Sequence, residues 1–232
     1  MNKLGMLLLS FTALAAEKPY EVKWVGELHK VMMLGEDSGI IALDSLRALP
    51  HLYALGPVEG LNGEIAVFDG DPVIGVVRDG QPTVEHTYAV KAALLVYAQV
   101  TDWTKTAIPS GIDNIAALDR FVSESARAAG LDMTAPFPFR VTGHMHDIAM
   151  HIVNRQGREA KGHEGHEKIE IKIPLTHASV EMLGFWSDRH AGVFTHQGSN
   201  VHIHVRTSDN KLSGPVDAVK IGSGDLWLPA IK

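Results

Sequence analysis

The residues best suited to chemistry lie in one short segment, Asn200-Val201-His202-Ile203-His204-Val205-Arg206. Apolar and polar residues alternate there, as along a half-buried strand. Side chains two apart share a strand face. Val201, Ile203 and Val205 therefore turn to a core, and His202 and His204 point together the other way. Two imidazoles roughly 6–7 Å apart along a strand can converge on one divalent ion through bonds of roughly 2.0–2.1 Å. The chain holds 13 histidines and no cysteine. Its metal chemistry would therefore use nitrogen and oxygen donors rather than sulfur.

Such a pair needs a third ligand. His196 stands shortly before the strand, and the intervening Gln197-Gly198-Ser199 gives a turn that folds it back; His190 is a more distant source. The segment Arg140-Val141-Thr142-Gly143-His144-Met145-His146 is a rival. Strand parity puts Arg140, Thr142, His144 and His146 on one face, and Gly143 leaves room for a close approach. Laid beside the histidine strand, it would bring His144 or His146 to the pair. The tract Gly162-His163-Glu164-Gly165-His166-Glu167 reads as a solvated loop with weak metal-binding character. His29, His51, His86, His151 and His177 read as structural or surface residues. The sequence has no nucleophile elbow, phosphate-binding loop, dinucleotide fingerprint or His-Glu-x-x-His helix.

The elements that position these residues are mostly strands. Gly63 to Phe68 and Val73 to Val77 read as a hairpin around Asp69-Gly70-Asp71-Pro72, with Asp79-Gly80 closing the second strand. Val25 to Met33 reads as a helix. Ala89 to Val100 fits a buried strand or a helix equally well. Ile115 to Ala129 is the clearest helix, with Ile115, Leu118, Phe121 and Val122 at helical spacing and Gly130 as its stop. Beyond the Pro136-Phe137-Pro138 break, strands are expected at Phe139 to Ile148, Ile169 to Ile173, Val180 to Trp186, Val201 to Arg206 and Asp217 to Ile221. The fold class is α+β and strand-rich.

The 232 residues carry a net charge of -6 with no basic block, which argues against nucleic acid as a partner. Residues 1–16 combine Lys3, the apolar run Gly5 to Phe11 and the small-x-small site Ala13-Leu14-Ala15, the pattern of a secretory leader. The mature chain is expected to be soluble, free of the membrane, and periplasmic or secreted. It divides into an N-terminal portion, 17–135, and a C-terminal β-rich metal-binding portion, 136–232, within one compact unit.

Several segments, in order, resemble the α-acetolactate decarboxylase family. They are Gly56-Pro57-Val58-Glu59-Gly60-Leu61-Asn62-Gly63-Glu64, Pro138-Phe139-Arg140-Val141-Thr142-Gly143, Gly184-Phe185-Trp186 ahead of Val201-His202-Ile203-His204-Val205, Ser213-Gly214, and Leu226-Trp227-Leu228-Pro229. The resemblance runs from about residue 25 to the C-terminus. It implies an N-terminal mixed sheet with helices, a C-terminal antiparallel sheet carrying the metal strand, and a homodimer. It implies zinc, held in part by His202 and His204, chelating the hydroxyl and carbonyl oxygens of a small 2-hydroxy-3-oxo acid. As a Lewis acid the ion would stabilise the enediolate left when carbon dioxide departs. Glu64 would handle protons, and Arg140 would grip the substrate carboxylate with its planar fork.

Three positions depart from the family pattern. Pro215 stands where the family has its third histidine ligand, and proline offers no donor atom. Pro57 replaces a threonine. The family's C-terminal glutamate has no counterpart, although Asp225 lies nearby. The expected site is thus a remodelled one: His202 and His204 with His196, His144 or His146. Two readings follow, an exported metal-dependent decarboxylase and a periplasmic histidine-rich metal-binding protein on the same fold. A different reaction on this scaffold has no sequence feature to select it.

Overall fold

A computed structural model describes residues 19–231, so the expected leader, 1–16, lies outside the described residues. In chain order the first strands are β1 (Lys23–Val25), β2 (Ile41–Ala42), β3 (Leu52–Pro57), β4 (Glu64–Phe68), β5 (Asp71–Arg78), β6 (Gln81–Glu85), β7 (Lys91–Ala92), β8 (Leu95–Gln99) and β9 (Trp103–Ala107). Then follow α1 (Ile115–Ala128), β10 (Phe137–Val153), α2 (Gly162–Glu167), β11 (Glu170–Trp186), β12 (Val201–Thr207) and β13 (Ser213–Pro229). None of the described helices is long and apolar enough to cross a membrane.

Turn chemistry builds the first layer. Asp69-Gly70 and Asp79-Gly80 each put two successive residues at positive φ, 51° and 79° in the first and 51° and 77° in the second. That is the two-residue turn whose twist matches paired strands, and it folds β4, β5 and β6 into a meander. The full sheet runs β1-β8-β3-β4-β5-β6. Every pairing in it is antiparallel, which corrects the expected mixed sheet. Hairpin turns this short can only reverse the chain, whereas a parallel neighbour needs a crossover of a dozen or more residues. The helix expected over Val25 to Met33 is borne out in its later part: β1 ends at Val25, and the chain is helical from Leu28 through Leu34. The undecided stretch Ala89 to Val100 holds β7 and β8.

The second sheet runs β10-β11-β12-β13-β9, and β10 also pairs with β13, so the ring β10–β11–β12–β13 closes on itself. The strand β9 joins this sheet, and α1 packs on its outer face through Leu118, Val122 and Ala126. The portion 17–135 thus contributes one strand and one helix to the second layer. The helix starts as its sequence suggests: the Asn114 side chain accepts a 2.8 Å hydrogen bond from the Ala117 amide, a standard N-cap.

Between the sheets lies a shared apolar layer. Leu55, Ala66 and Phe68 from the first sheet meet Leu183 and Phe185 from the second. Glu64 alternates with Ala66 and Phe68 and so faces this layer. His202 and His204 pair across strands with Phe185 and Leu183 and so share their face. The layers come into backbone contact at Gly75, the cross-strand partner of Glu64. A Cβ there would lie 2.0 Å from the Ser213 carbonyl oxygen on β13. Glycine is what allows the two backbones to meet and Glu64 to reach the histidine strand.

An interruption in β10 sets the last feature of the site. Its ladder with β11 runs through Met145↔Ala178 and resumes at Asp147↔Thr176, and its ladder with β13 shifts register on either side of Met145. His146 belongs to neither ladder. Such a bulge flips the side-chain parity of everything beyond it. Before it, Phe137, Phe139, Val141 and Met145 enter the outer core; after it, Ile148 and Met150 do. The odd-numbered residues beyond the bulge, His151 among them, therefore turn to the opposite face.

Candidate functional site

His202 and His204 are buried in the inter-sheet layer, at 5% and 0% exposure. Their Nε2 atoms stand 3.2 Å apart, and Glu64 Oε2 is 3.9 Å from His204 Nε2. Burial pushes His202 down to about 3, aided by the neighbouring His196, and pushes His204 well below the usual imidazole range. Both rings are therefore neutral, the form that ligates metal. The backbones of Phe194 and Ile65 act in the opposing direction on the two rings, yet neither Nδ1 atom reaches a hydrogen-bond partner. Buried polar atoms without partners are uncommon and call for a reason.

A chelated ion fits the Nε2 pair. Two nitrogens bound tetrahedrally at roughly 2.0–2.1 Å stand about 3.3 Å apart, close to the separation seen. The donor set, imidazole and carboxylate without thiol, suits zinc and its neighbours. Among the described residues, no group of three or more His, Cys, Asp or Glu side chains is already arranged around one point. The third position is where this chain departs. Pro215 lies directly across from His204 on β13 and offers no ligand. Of the expected substitutes, His196 is at hand: its ring stands edge-on to His202 with centres 5.6 Å apart. His144 and His146 are not. They contact His177 instead, each with ring centres 5.9 Å from it: His144 lies farther along β10, opposite Ser179 rather than Leu183, and His146 falls out of the ladders at the bulge.

A small cavity of about 80 Å³ opens beside the pair, lined by residues that include Glu64, His151, Glu170, His196, His202 and Pro215. It shares lining residues, His151, Glu170 and His202 among them, with a wider cleft of about 650 Å³ that His163, His166 and Asp217 also line. The tract expected as a solvated loop thus forms the short helix α2 at the rim, with His166 buried. Glu64 is 3% exposed, and burial pushes its carboxyl up to about 8, partly opposed by His151. In the metal-free protein near neutral pH this acid is therefore mostly protonated and able to donate; a cation beside it would lower that value.

His151, read from the sequence as structural or surface, lies at this site. Its Nδ1 is 2.7 Å from Asp217 Oδ1. Burial works to lower the pKa of this imidazole, but the Asp217 hydrogen bond and the charges of Glu64, Asp217 and Glu170 more than offset it, and the net shift is upward. Among the groups lining the small cavity, His151 is thus the imidazole whose protonated form its neighbours favour. Arg140 plays a different part. Its guanidinium pairs with Glu181, which also binds Arg206, and its Cζ lies 5.3–5.6 Å from the ring centres of Tyr53, Trp103 and Trp227. It does not line the cavity. Asp225 pairs with Lys105 at 3.5 Å, away from the histidines.

Strand parity alone found His202 and His204. Nothing local in the sequence marks His151 or Asp217, since their placement depends on the bulge. Glu170 was open to inference, being a polar position in the alternating run Ile169 to Ile173.

Fold and site together define a strand-rich two-sheet protein with a buried imidazole pair and a buried carboxyl at its inter-layer cavity. Residues 52–232 match the alpha-acetolactate decarboxylase family. The chain belongs to that family. Its fold is that of the alpha-acetolactate decarboxylase of Bacillus subtilis strain 168, at 14% identity and a TM-score of 0.71 over 91% of this chain and 86% of that one. A Staphylococcus aureus protein of unknown function, described as similar to alpha-acetolactate decarboxylase, matches with a TM-score of 0.73 at 11% identity, over 91% and 86% of the two chains. No curated protein matches the sequence.

Proposed function

We propose that this chain is an exported, dimeric, metal-dependent decarboxylase. Its substrate is acetolactate or a similar small 2-hydroxy-3-oxo acid. The observation that carries the reading is the chelating separation of the His202 and His204 Nε2 atoms beside the buried Glu64 carboxyl. His202 and His204 would hold the ion, zinc by its donor set, with His196 as third ligand. The ion would supply a Lewis acid for the negative charge that develops as carbon dioxide leaves.

The rest falls to the chain's own side chains. The bond between C2 and the carboxylate breaks, and its electron pair passes to the adjacent carbonyl. Glu64 Oε2 then delivers a proton to the carbon that lost carbon dioxide, giving the acetoin-type product. His151, steadied by Asp217, faces the substrate carboxylate in the role that the resemblance gives to Arg140. The apolar walls around Glu64 keep bulk water from competing for that proton. Purified protein loaded with zinc and given acetolactate should form acetoin above the spontaneous rate; an unchanged rate would reject this reading.

A second reading draws on Pro215 and on the capture of Arg140 by Glu181. Both loosen the family's substrate machinery while leaving the imidazole pair intact. On that reading the protein binds metal without turnover. Zinc uptake that depends on His202 and His204, with no acetoin formed, would select it.

A further inference from the structure

A second group of three imidazoles lies apart from the buried pair, where β10 is interrupted. His146 is left out of both ladders there, and the pairing between β10 and β11 lapses opposite His177. His177 itself sits at a φ of +50°, a left-handed backbone that non-glycine residues seldom adopt. The His177 ring contacts both His144 and His146, with ring centres 5.9 Å away in each case. His146 rests over the bare backbone of Gly222, where a Cβ would come within 3.2 Å of its Nε2.

We propose that His144, His146 and His177 form a surface site for a borderline divalent ion of the zinc, nickel or copper type. Two imidazoles bound to one ion at roughly 2.0–2.1 Å hold their ring centres about 4.5–6.4 Å apart as the bond angle opens from a right angle to a straight line. The separations of His177 from His144 and from His146 fall in that range. The rings are not yet turned onto one point. His146 and His177 are exposed, however, so rotation about their side-chain bonds meets little resistance. Neutral imidazole favours these ions over calcium or magnesium, which take oxygen ligands. The ion would bridge β10 and β11 where their ladder is broken. Bulges of this kind occur beside functional sites more often than elsewhere in sheets.

The test is zinc titration of the full chain by calorimetry, with copper(II) electron paramagnetic resonance to count nitrogen ligands. The wild-type protein should show a site that H144Q/H146Q/H177Q lacks, with one ion fewer per chain. Copper bound at this site should show a multi-nitrogen pattern that disappears in the variant. The single change H146Q, at an exposed ring, keeps the fold whatever happens to the triple variant, and should weaken this site at least tenfold. Equal stoichiometry and affinity in wild type, H146Q and the triple variant would overturn the proposal. The outcome is independent of the buried pair: if His202 and His204 bind nothing, the wild type takes one ion here and the triple variant none.

Discussion

Replacing Glu64 with glutamine should remove a pH dependence of stability that the buried carboxyl imposes on the metal-free protein. Glu64 has a folded-state pKa of about 8 against 4.5 in the unfolded chain. The folded state therefore binds the proton more tightly, so its relative stability is fully present below pH 4.5 and is lost as pH rises toward 8. Between pH 6.5 and 8 this one group should cost roughly 1.5–2 kcal/mol, at about 1.36 kcal/mol for each pKa unit. The full loss above pH 8 is on the order of 5 kcal/mol. His151, whose pKa is also raised, adds a loss of the same sign above pH 6.5. Urea unfolding of chelator-treated wild type and Glu64→Gln, at half-unit steps from pH 6 to 8.5, isolates the Glu64 part as the difference between the two curves. That difference should grow steadily with pH in favour of Glu64→Gln. A difference flat to within 0.5 kcal/mol (about a third of a pKa unit) would refute the claim that burial holds this carboxyl protonated near neutral pH.

On the acid side the sign reverses. His202 has a folded pKa of about 3 and His204 is also lowered, so the stability of the metal-free protein should fall as pH drops below 6.5, and His202→Gln should flatten that fall in urea midpoints. Either His202→Ala or His204→Ala should abolish zinc retention at the buried site, measured as metal content after dialysis, and cut acetoin formation at least about 100-fold. His151→Gln should raise KM for acetolactate more than Arg140→Lys does, whereas Arg140→Lys should lower the unfolding free energy by about 1–3 kcal/mol through its pairing with Glu181; steady-state kinetics and denaturation on the same preparations separate the two. Gly75→Ala should cost about 1–3 kcal/mol and reduce kcat, because the added methyl would push β5 from the Ser213 carbonyl and carry Glu64 away from His204.

Much was legible in the sequence because it depended on local rules. Alternation set the face of His202 and His204, and Asp-Gly pairs fixed the meander of β4, β5 and β6. Helical spacing from Ile115 and the stop at Gly130 marked the two ends of α1. The resemblance in ordered motifs identified the family, and with it the position of Glu64 on the strand that meets the histidines. Each of these signals spans a few residues and needs no knowledge of what packs against them.

What the sequence left undecided depended on partners far along the chain. Parity counted along β10 sent His144 and His146 toward the pair. His144 lies before the bulge but too far along the strand, opposite Ser179 rather than Leu183. The bulge at His146 resets the count beyond it, and it exists because β13 pairs with β10 out of step. His151 enters the cavity for the same reason, and Asp217 meets it across strands that are distant in sequence. Arg140 carries the same side chain in any environment, but Glu181 and three aromatic rings from separate elements decide that it stays outside the cavity. The antiparallel sense of the first sheet likewise comes from how the strands return. The sequence by itself determined which residues could do chemistry at His202 and His204. Only the tertiary structure decided which imidazole and which carboxylates join them, because convergence in space is set by strand register and sheet contact, neither of which is written in any short stretch of chain.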